Sequence, residues 1–334
     1  MVRVAVVGAG SWGKNLVRNF ASSKGAVLAA ICDKDDKRLH SFEGAYPHAK
    51  LCTDVSDVTG DDSIEAVVIA TDAPLHFEHA KAALSAGKHV YVEKPMCQSV
   101  AEAEKLEQLA EGKGLKLMVG HLLLYHPAVD KLKSLIDSGD LGDIYYMYTQ
   151  RLNLGVVRSN ENAWWSLAPH DISVINYLFG AAPEKVSAQG QCYLQEGIED
   201  VVFATLYFAD GRLAQVHTSW LDPHKMRRMT IVGSSKMVTF DDMETAEKVR
   251  IYDKGATANL NYSSYGEAIT LRQGDVHIPK LDMTEPLRIE CQHFIDCISK
   301  DLPVRSDGRN GLAAVRVLAA GERSIKAGGK PQEV

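Results

Sequence analysis

Glu93, Lys94 and Pro95 are the first residues whose types and position could do chemistry. They close the stretch GKHVYVEKP, in which a run of strand-forming residues ends on a charged pair and a proline stops the strand. A lysine at the end of a buried strand is partly desolvated, which favours its neutral amine and lets it exchange a proton with a ligand. Glu93 and Pro95 would fix the direction of the lysine. The alternative is that Lys94 is only a surface charge.

The sequence GAGSWG predicts a dinucleotide-binding turn, because it follows a predicted strand and opens a predicted helix. Gly8 permits the tight turn, Gly10 lets the backbone approach a pyrophosphate, and Gly13 lets the helix pack close to the strand. The pyrophosphate would lie on the N–H groups at the positive end of this helix, beside Ser11 and Trp12. Alternatively, these glycines only make a turn.

Asp33 ends the second predicted strand, about 20 residues after the glycine motif, where an acidic residue can accept hydrogen bonds from both adenosine ribose hydroxyls. Its charge would repel a 2′-phosphate, so NAD is favoured over NADP. Lys34 and Arg38 weaken this preference, because nearby cations could accommodate the phosphate. We include both among the cofactor-binding candidates.

Thr71, Pro74 and His76 follow the third apolar run in the sequence ATDAPLHFEHA. Open parallel sheets bind ligands outside the carboxyl ends of their strands, so these residues are expected to border the cofactor. His76 could instead pack at the start of a helix without touching the ligand. His79, one helical turn later, is expected to lie outside the site.

The elements that must position these residues change character near residue 120. Before it, five apolar runs alternate with helical segments, which predicts an N-terminal Rossmann domain with a parallel sheet. After about residue 140, longer strands separated by short turns predict a C-terminal α/β domain with a large open, mostly antiparallel sheet. The fold class is therefore α/β, with predicted domains at 1–121 and 122–334.

Composition limits the classes of partner. The 334 residues carry a net charge of −6, and no basic stripe with interleaved aromatic residues is present, so a nucleic-acid partner is not expected. The six cysteines form no CxxC pair, which argues against a zinc site or a disulfide framework, and no metal is expected. Neither a signal peptide nor a membrane span is predicted, so we expect a cytoplasmic protein with a small-molecule partner.

Taken together, the N-terminal GxGxxG, the T…P…H segment and GKHVYVEKP closely resemble the Gfo/Idh/MocA family of oxidoreductases over essentially the whole chain. The resemblance implies a Rossmann domain and an α/β domain whose open sheet commonly serves in oligomerisation, here as a homodimer or homotetramer. It also implies hydride transfer between a nicotinamide cofactor and a hydroxyl carbon of a sugar, cyclitol or sugar nucleotide. In that family the lysine of EKP reaches the reacting hydroxyl, and the peptide bond before its proline is often cis; Lys94 and Pro95 hold these positions.

The resemblance also leads us to expect a catalytic partner in the second domain, and His170 is the candidate. With Asp171 it is predicted to lie at the start of an amphipathic helix, whose first turn would face the cleft. Family members commonly carry an aspartate four residues before the catalytic histidine, and Ser166 replaces it here. His170 therefore becomes the candidate for proton relay, oriented by Asp171. The alternative is that His170 only caps the helix.

Polar residues near this histidine could bind the substrate, since arginine suits phosphate or carboxylate and tryptophan suits stacking on a sugar or base. Arg158 could instead pair with Glu161, and the tryptophans could be core residues. The candidates for substrate contact, beside Asp171, are His121, Tyr125, Arg151, Asn153, Arg158, Asn162 and Trp164.

This set resembles the branch of the family that oxidises C3 of UDP-N-acetylglucosamine or of its uronic acid. Two alternatives stay open. The protein could be a free aldose or inositol dehydrogenase, although Ser166 counts modestly against the inositol type. It could also be a non-catalytic, dinucleotide-sensing regulator, against which the intact EKP and His170 argue.

Overall fold

The computed structural model describes residues 1–155, 157–258 and 269–334. Contacts between residues divide the chain into two units, one of Met1–Tyr125 with Thr284–Arg316 and one of His126–Met283 with Val317–Val334. Among the described residues, no helix is both long enough and apolar enough to cross a membrane.

The first unit contains a six-stranded sheet in which every neighbouring pair of strands is parallel. Its strands are β1 (Val2–Val7), β2 (Ala26–Cys32), β3 (Lys50–Cys52), β4 (Ala66–Ile69), β5 (His89–Glu93) and β6 (Leu117–Gly120). Their order in the sheet is β3-β2-β1-β4-β5-β6. The chain thus turns back between β1 and β4, and in such sheets ligands bind at the carboxyl ends of the strands beside this switch point. The predicted Rossmann fold is confirmed.

One strand of this sheet, β3, was not among the five predicted apolar runs. It has only three residues and pairs with β2 through Cys52 opposite Cys32. A segment this short shows no hydrophobic period, so local sequence gives little signal for it. The helices of this part are α1 (Gly13–Ser22), α2 (Asp36–His40), α3 (Ser56–Thr59), α4 (His76–Ser85) and α5 (Val100–Gly112).

The predicted boundary at residue 121 differs from the contact division over 284–316, which joins the first unit. This stretch holds α8 (Pro286–Ser299) and the first part of α9 (Gly308–Lys326). Phe294 of α8 packs edge-on against Phe20 and Tyr91, with ring centroids 6.1 and 5.9 Å away. These buried aromatic contacts attach α8 to the Rossmann sheet, although nearly 200 residues separate it from β5 along the chain.

The second unit is built on a sheet that has nine strands among the described residues. The order is β14-β13-β12-β11-β7-β10-β9-β8-β15, and only the β7–β10 pair is parallel. The elements are α6 (Pro127–Asp137), β7 (Ile144–Leu152), α7 (Ala163–Phe179), β8 (Lys185–Gln191), β9 (Val201–Tyr207), β10 (Leu213–Ser219), β11 (Met226–Gly233), β12 (Met237–Asp241), β13 (Val249–Ala258), β14 (Ile269–His277) and β15 (Gln332–Glu333). The predicted large, mostly antiparallel sheet is confirmed.

The two faces of this sheet differ in burial. Along β9, Val202, Ala204 and Leu206 are buried, whereas the intervening Phe203 is 50% exposed. The helix α7 contacts β10 and the neighbouring strands of the sheet. Alternation of this kind is expected when one face of a sheet packs on the core and the other is left open.

Candidate active site

The glycine motif forms the turn between β1 and α1. At two of its positions a side chain would clash with neighbouring backbone atoms. Gly8 has φ +93°, and a Cβ there would lie 2.6 Å from the Ala70 carbonyl atoms. A Cβ on Gly13 would overlap the Gly8 carbonyl oxygen. Gly10 is different, because a Cβ added there would meet only Arg38 within 4 Å, at 3.9 Å. The turn therefore leaves its backbone open at Gly10, as the approach of a pyrophosphate requires.

Asp33 ties the end of β2 to this turn. Its carboxylate accepts hydrogen bonds from the backbone N–H of Ala9 at 2.7 Å and of Asp35 at 2.9 Å. Arg38 lies 3.6 Å from the same carboxylate and 3.3 Å from Asp35. A carboxylate can accept about four hydrogen bonds, so Asp33 retains capacity for a ribose hydroxyl.

A cavity of about 410 Å³ opens beside Asp33 and the glycine turn. Sequence reasoning missed the Thr53–Asp54–Val55 segment of its lining, because that segment follows the unpredicted strand β3. It also placed His79 outside the site, whereas His79 lines the cavity and lies 3.4 Å from the Thr71 hydroxyl. The lining residues are Val7, Gly8, Gly10, Cys32, Asp33, Lys34, Arg38, Thr53, Asp54, Val55, Ala70, Thr71, Asp72, Leu75 and His79.

Seven predicted cofactor residues lie outside this lining, namely Ser11, Trp12, Gly13, Pro74, His76, Glu93 and Lys94. Ser11 and Trp12 are exposed at the tip of the glycine turn, and Pro74 is exposed in a short 3₁₀ turn after β4. The prediction for His76 needs correction. Its side chain is buried, with Nδ1 2.8 Å from the Pro95 carbonyl oxygen and Nε2 3.0 Å from the Thr71 carbonyl oxygen. Because both ring nitrogens face backbone carbonyls, His76 joins the ends of β4 and β5 and has no nitrogen left for the cofactor.

The EKP segment lies at the carboxyl end of β5, as predicted, and its Lys94–Pro95 peptide bond is cis, as the resemblance implies. Glu93 is buried and accepts a 2.6 Å hydrogen bond from the indole N–H of Trp12. Tyr91 lies 3.4 Å from the same carboxylate oxygen. Burial raises the pKa of Glu93, and these donors oppose that rise. The strand β5, which Lys94 follows, is thereby linked to the glycine turn.

His121 follows β6, the neighbouring strand, and is 1% exposed. Burial, followed by the positive charge of Lys94, lowers the pKa of His121 to about 3. Neither ring nitrogen has a hydrogen-bond partner among the described residues. The first unit therefore holds a neutral imidazole, able to both donate and accept a hydrogen bond, close enough to Lys94 to feel its charge.

Tyr125 does not border a ligand site in the first unit, which corrects its prediction as a substrate residue. Its ring is 1% exposed, and its hydroxyl lies 3.1 Å from that of Ser306. The Arg305 guanidinium stacks over the ring, 5.2 Å from its centroid. Tyr125 is therefore a core residue that fixes the segment before α9.

In the second unit, two predicted substrate residues bind each other. Arg151 of β7 donates to both carboxylate oxygens of Asp171 on α7, at 2.7 and 3.1 Å, and both side chains are buried. Asp171 is thus engaged with Arg151, which corrects its expected role of orienting His170. His170 lies in the middle of α7, because the helix begins at Ala163 and runs through Pro169. The expected first-turn position of His170 is wrong.

The other candidates of this unit mostly serve the fold. Trp164 is fully buried, and its indole N–H donates to the Leu318 carbonyl at 2.9 Å, so it is a core residue and its prediction as a stacking platform is corrected. Asn162 caps α7 by accepting from the Trp165 N–H, and it donates to Glu199.

Two predicted substrate residues keep some exposed surface. Arg158 pairs with Glu161 at 3.0 Å, as the alternative interpretation had it, but remains half exposed. Asn153 is partly exposed, with its backbone N–H bonded to Ser219. Ser166, at the position where the family has an aspartate, is buried.

A parallel sheet with a glycine turn at its switch point, an acidic residue after β2 and a lysine after β5 defines a dinucleotide-binding oxidoreductase of the α/β class. The chain belongs to the Gfo/Idh/MocA family. The sequence profile of its oxidoreductase domain with NAD-binding Rossmann fold matches residues 2–121, and the profile of a Gfo/Idh/MocA C-terminal domain matches residues 129–239. The predicted NAD cofactor agrees with this membership.

Three curated relatives share about a quarter of their residues with the chain. The chain is 27% identical to UDP-N-acetylglucosamine 3-dehydrogenase of Acidithiobacillus ferrooxidans, over 96% of this chain and 95% of that protein. It is 24% identical to inositol 2-dehydrogenase of Rhizobium meliloti, over 97% of each chain. An uncharacterized oxidoreductase of Streptococcus pneumoniae is 26% identical, and the match covers 64% of this chain and 61% of that protein. A solved structure from Magnetospirillum magnetotacticum matches with TM-score 0.81 and 29% identity, over 96% of this chain and 99% of that one.

Proposed function

We propose that the protein is an NAD-dependent dehydrogenase that transfers a hydride between the nicotinamide and a secondary hydroxyl carbon of a sugar or polyol. The observation that carries this proposal is the link within the first unit between Lys94 and the glycine turn. Lys94 follows Glu93, and Glu93 is hydrogen-bonded to Trp12 of the turn at 2.6 Å. A proton-exchanging amine is thereby anchored to the backbone that would hold the cofactor phosphates.

Oxidation of a secondary alcohol removes a hydride from the carbon and a proton from the hydroxyl group of the substrate. A nicotinamide held at the glycine turn would supply the acceptor for the hydride that leaves the hydroxyl-bearing carbon. Lys94, after its ammonium group has given a proton to solvent, would take the hydroxyl proton in the same reaction, and a carbonyl group is left on the substrate. In the reverse direction the Lys94 ammonium donates the proton.

His121 is proposed to bind the same polar end of the substrate or nicotinamide. Its burial and the positive charge of Lys94 lower its pKa and keep its imidazole neutral at ordinary pH. An unprotonated nitrogen can accept a hydrogen bond from an amide or hydroxyl, while the other nitrogen can donate one.

His170 is retained as the proposed proton-relay partner, with Ser166 in place of the usual aspartate. It is partly buried on α7 of the second unit. A His170→Asn variant, which keeps hydrogen-bonding groups but does not titrate, is expected to lose turnover while NADH affinity stays within about twofold. Unchanged turnover would remove His170 from the mechanism.

For the substrate, we propose C3 of a UDP-linked N-acetyl sugar. The support is the similarity to UDP-N-acetylglucosamine 3-dehydrogenase over nearly the full length of both chains. The inositol dehydrogenase relative covers as much of the chain, so inositol and free aldoses are the second candidates. Asn153 and the exposed part of Arg158 are the remaining side chains proposed to contact the nucleotide sugar.

The proposal is tested by following NADH absorbance with UDP-N-acetyl sugars, their uronic acids, inositols and free aldoses. NAD reduction with a UDP-sugar is expected, and Lys94→Ala should abolish it while NADH affinity is retained. Lys113→Ala is the matched control, because Lys113 is an exposed lysine of the same unit bonded to the Ser85 carbonyl. Turnover of inositol alone would replace the substrate proposal. NADH binding without turnover of any compound would favour a regulator.

A further inference from the structure

Cys32 and Cys52 are two reduced cysteines that the proposed chemistry does not use. They end β2 and β3, and in the parallel register of these strands they lie directly opposite each other. The backbone N–H of Asp33 donates to the Cys52 carbonyl oxygen at 3.2 Å, so the two strands are still joined just beyond the pair. The cysteines are far apart along the chain, and only the fold brings them together.

The position of this pair suits a disulfide bond. Neighbouring strands lie about 4.7–4.9 Å apart, and side chains of residues that pair in register point to the same face of the sheet. A disulfide needs a Cα separation of about 4.4–6.8 Å, so the spacing of paired residues falls within this range, whereas the Cβ atoms must approach to about 3.5–4.5 Å. Because β3 has three residues and lies at the edge of the sheet, it can shift by the small distance that this approach requires.

Both cysteines border a cavity. Cys32 is 1% exposed and lines the cavity beside Asp33, while Cys52 is 6% exposed and lines a second cavity of about 490 Å³. A small oxidant can therefore reach Cys52 without entering the cofactor cavity. The Cys32 thiol donates a hydrogen bond to the Cys52 sulfur, and this bond lowers the pKa of Cys52. Since the thiolate is the reactive form, Cys52 is the cysteine that reacts first.

A bond between the two sulfur atoms would act on the cofactor site. The Asp33 carboxylate accepts a 2.7 Å hydrogen bond from the backbone of the glycine turn, and the Cys32 carbonyl oxygen accepts one from the Gly8 N–H at 2.8 Å. On the other strand, Thr53 follows Cys52 directly and belongs to the lining of the cofactor cavity. Drawing β3 toward β2 therefore displaces groups on two sides of that cavity.

We propose that Cys32 and Cys52 are a redox-sensitive pair, which hydrogen peroxide converts into a disulfide that weakens dinucleotide binding at Asp33. The Cys52 thiolate attacks one peroxide oxygen, the O–O bond breaks, and Cys52 becomes a sulfenic acid while hydroxide leaves. The Cys32 sulfur then attacks the sulfenic sulfur, the S–S bond forms, and the hydroxyl group leaves with the thiol proton as water. Both sulfurs are oxidised and the peroxide is reduced. The step does not depend on the proposed role of Lys94.

The bond itself is tested on the wild-type chain. The protein is treated with hydrogen peroxide, the remaining thiols are blocked with N-ethylmaleimide, and a tryptic digest is analysed by mass spectrometry. Cys32 and Cys52 fall on different tryptic peptides, 25–34 and 51–81, so the disulfide would join two peptides that dithiothreitol separates. These linked peptides are expected. Two free thiols, a sulfinic acid at Cys52, or linkage of either cysteine to another one would overturn the proposal.

The effect on the cofactor site is measured as NADH affinity, which needs no sugar substrate. Oxidised wild type is expected to bind NADH about threefold to tenfold more weakly than the reduced protein, the effect of one hydrogen bond, and dithiothreitol should restore the affinity. In Cys52→Ser, which cannot form the disulfide, peroxide should change NADH affinity by less than about twofold. Cys192→Ser is the matched control, because Cys192 is exposed, and this variant should respond to peroxide as wild type does.

An equal loss of affinity in Cys52→Ser, or linked peptides with unchanged NADH affinity, would overturn the proposal. If Cys52→Ser does not fold, a linked equilibrium gives a second test on wild type, because NADH must favour the reduced pair by the same factor. In glutathione buffers, saturating NADH should raise the reduction potential of the pair by about 14–30 mV, the equivalent of threefold to tenfold, and an unchanged potential would overturn the proposal. Peroxide-sensitive NADH binding without turnover of any sugar would refute the proposed function and leave the cysteine pair standing.

Discussion

The His76 imidazole lies 2.8 Å from the carbonyl oxygen of Pro95, and its second nitrogen lies 3.0 Å from the carbonyl oxygen of Thr71. The residue after Lys94 is thus held to the end of the neighbouring strand by a buried side chain. Contacts of this kind restrict where a catalytic group can point, because the backbone on both sides of it is fixed.

Replacing His76 by leucine should therefore affect both stability and catalysis. A neutral imidazole donates through one nitrogen, so one buried carbonyl loses its hydrogen-bond donor and the free energy of unfolding should fall by about 1–3 kcal/mol. The turnover number should fall more than the NADH affinity, because the Lys94 segment is loosened while the glycine turn is intact. Chemical denaturation and steady-state kinetics check this, with exposed His48→Leu as the control. A folded His76→Leu variant with wild-type turnover would contradict the expectation.

His121 should make stability depend on pH in a defined direction. The pKa of His121 is lowered to about 3 in the folded state. Between pH 6.5 and 3 the imidazole is therefore protonated in the unfolded chain and neutral in the folded chain. The contribution of His121 to the free energy of unfolding is fully present above pH 6.5 and is lost as the pH falls toward 3. Between pH 6.5 and 5 the loss is roughly 2 kcal/mol.

Urea unfolding of wild type and His121→Leu at both pH values measures this contribution as a difference. The variant should be less sensitive to acid than wild type by that amount. Equal acid sensitivity of the two proteins would show that His121 becomes protonated in the folded state.

The Arg151–Asp171 pair should behave as a buried ion pair. Asp171→Asn leaves the buried guanidinium without its counter-charge and is expected to cost about 3–5 kcal/mol of unfolding free energy. The double variant Arg151→Met/Asp171→Leu should recover much of this loss, because no charge is then left buried. The exposed pair of Lys185 and Glu333, 3.1 Å apart, provides the control, and its removal should cost less than about 1 kcal/mol. A loss of unfolding free energy in the double variant equal to the sum of the losses in the two single variants would show that Arg151 and Asp171 are not coupled.

The exposed face of the large sheet is expected to join copies of the chain, as the family resemblance implies. Leu213 is 42% exposed and pairs in register with Tyr207 on one side and Tyr146 on the other, which are also exposed. A continuous apolar strip of this kind favours association. Light scattering should give a dimer or tetramer mass for wild type and a smaller mass for Leu213→Glu. Leu154→Glu, at an exposed loop position, should leave the mass unchanged, and a monomeric wild type would refute the prediction.

The sequence by itself determined the features that depend on local signals. The spacing of Gly8, Gly10 and Gly13 between strand and helix predicted the turn. The position of Asp33 at the end of the second strand predicted that its carboxylate lies beside this turn. Alternation of apolar runs and helices predicted the parallel sheet, and EKP predicted a lysine at a strand end. Each of these signals is either a short motif or a regular alternation of neighbouring segments, so the pattern is visible without the fold.

Only the tertiary structure decided which polar residues were left for a ligand. Arg151 and Asp171, Trp164 and Leu318, and His76 and Pro95 satisfy each other across 19 to 154 residues of chain. The return of α8 to the first unit and the burial of Glu290 on that helix are likewise long-range packing outcomes. Residue type and spacing show what a side chain can bind. Burial and the nearest partner determine what it does bind, and both depend on segments far away along the chain.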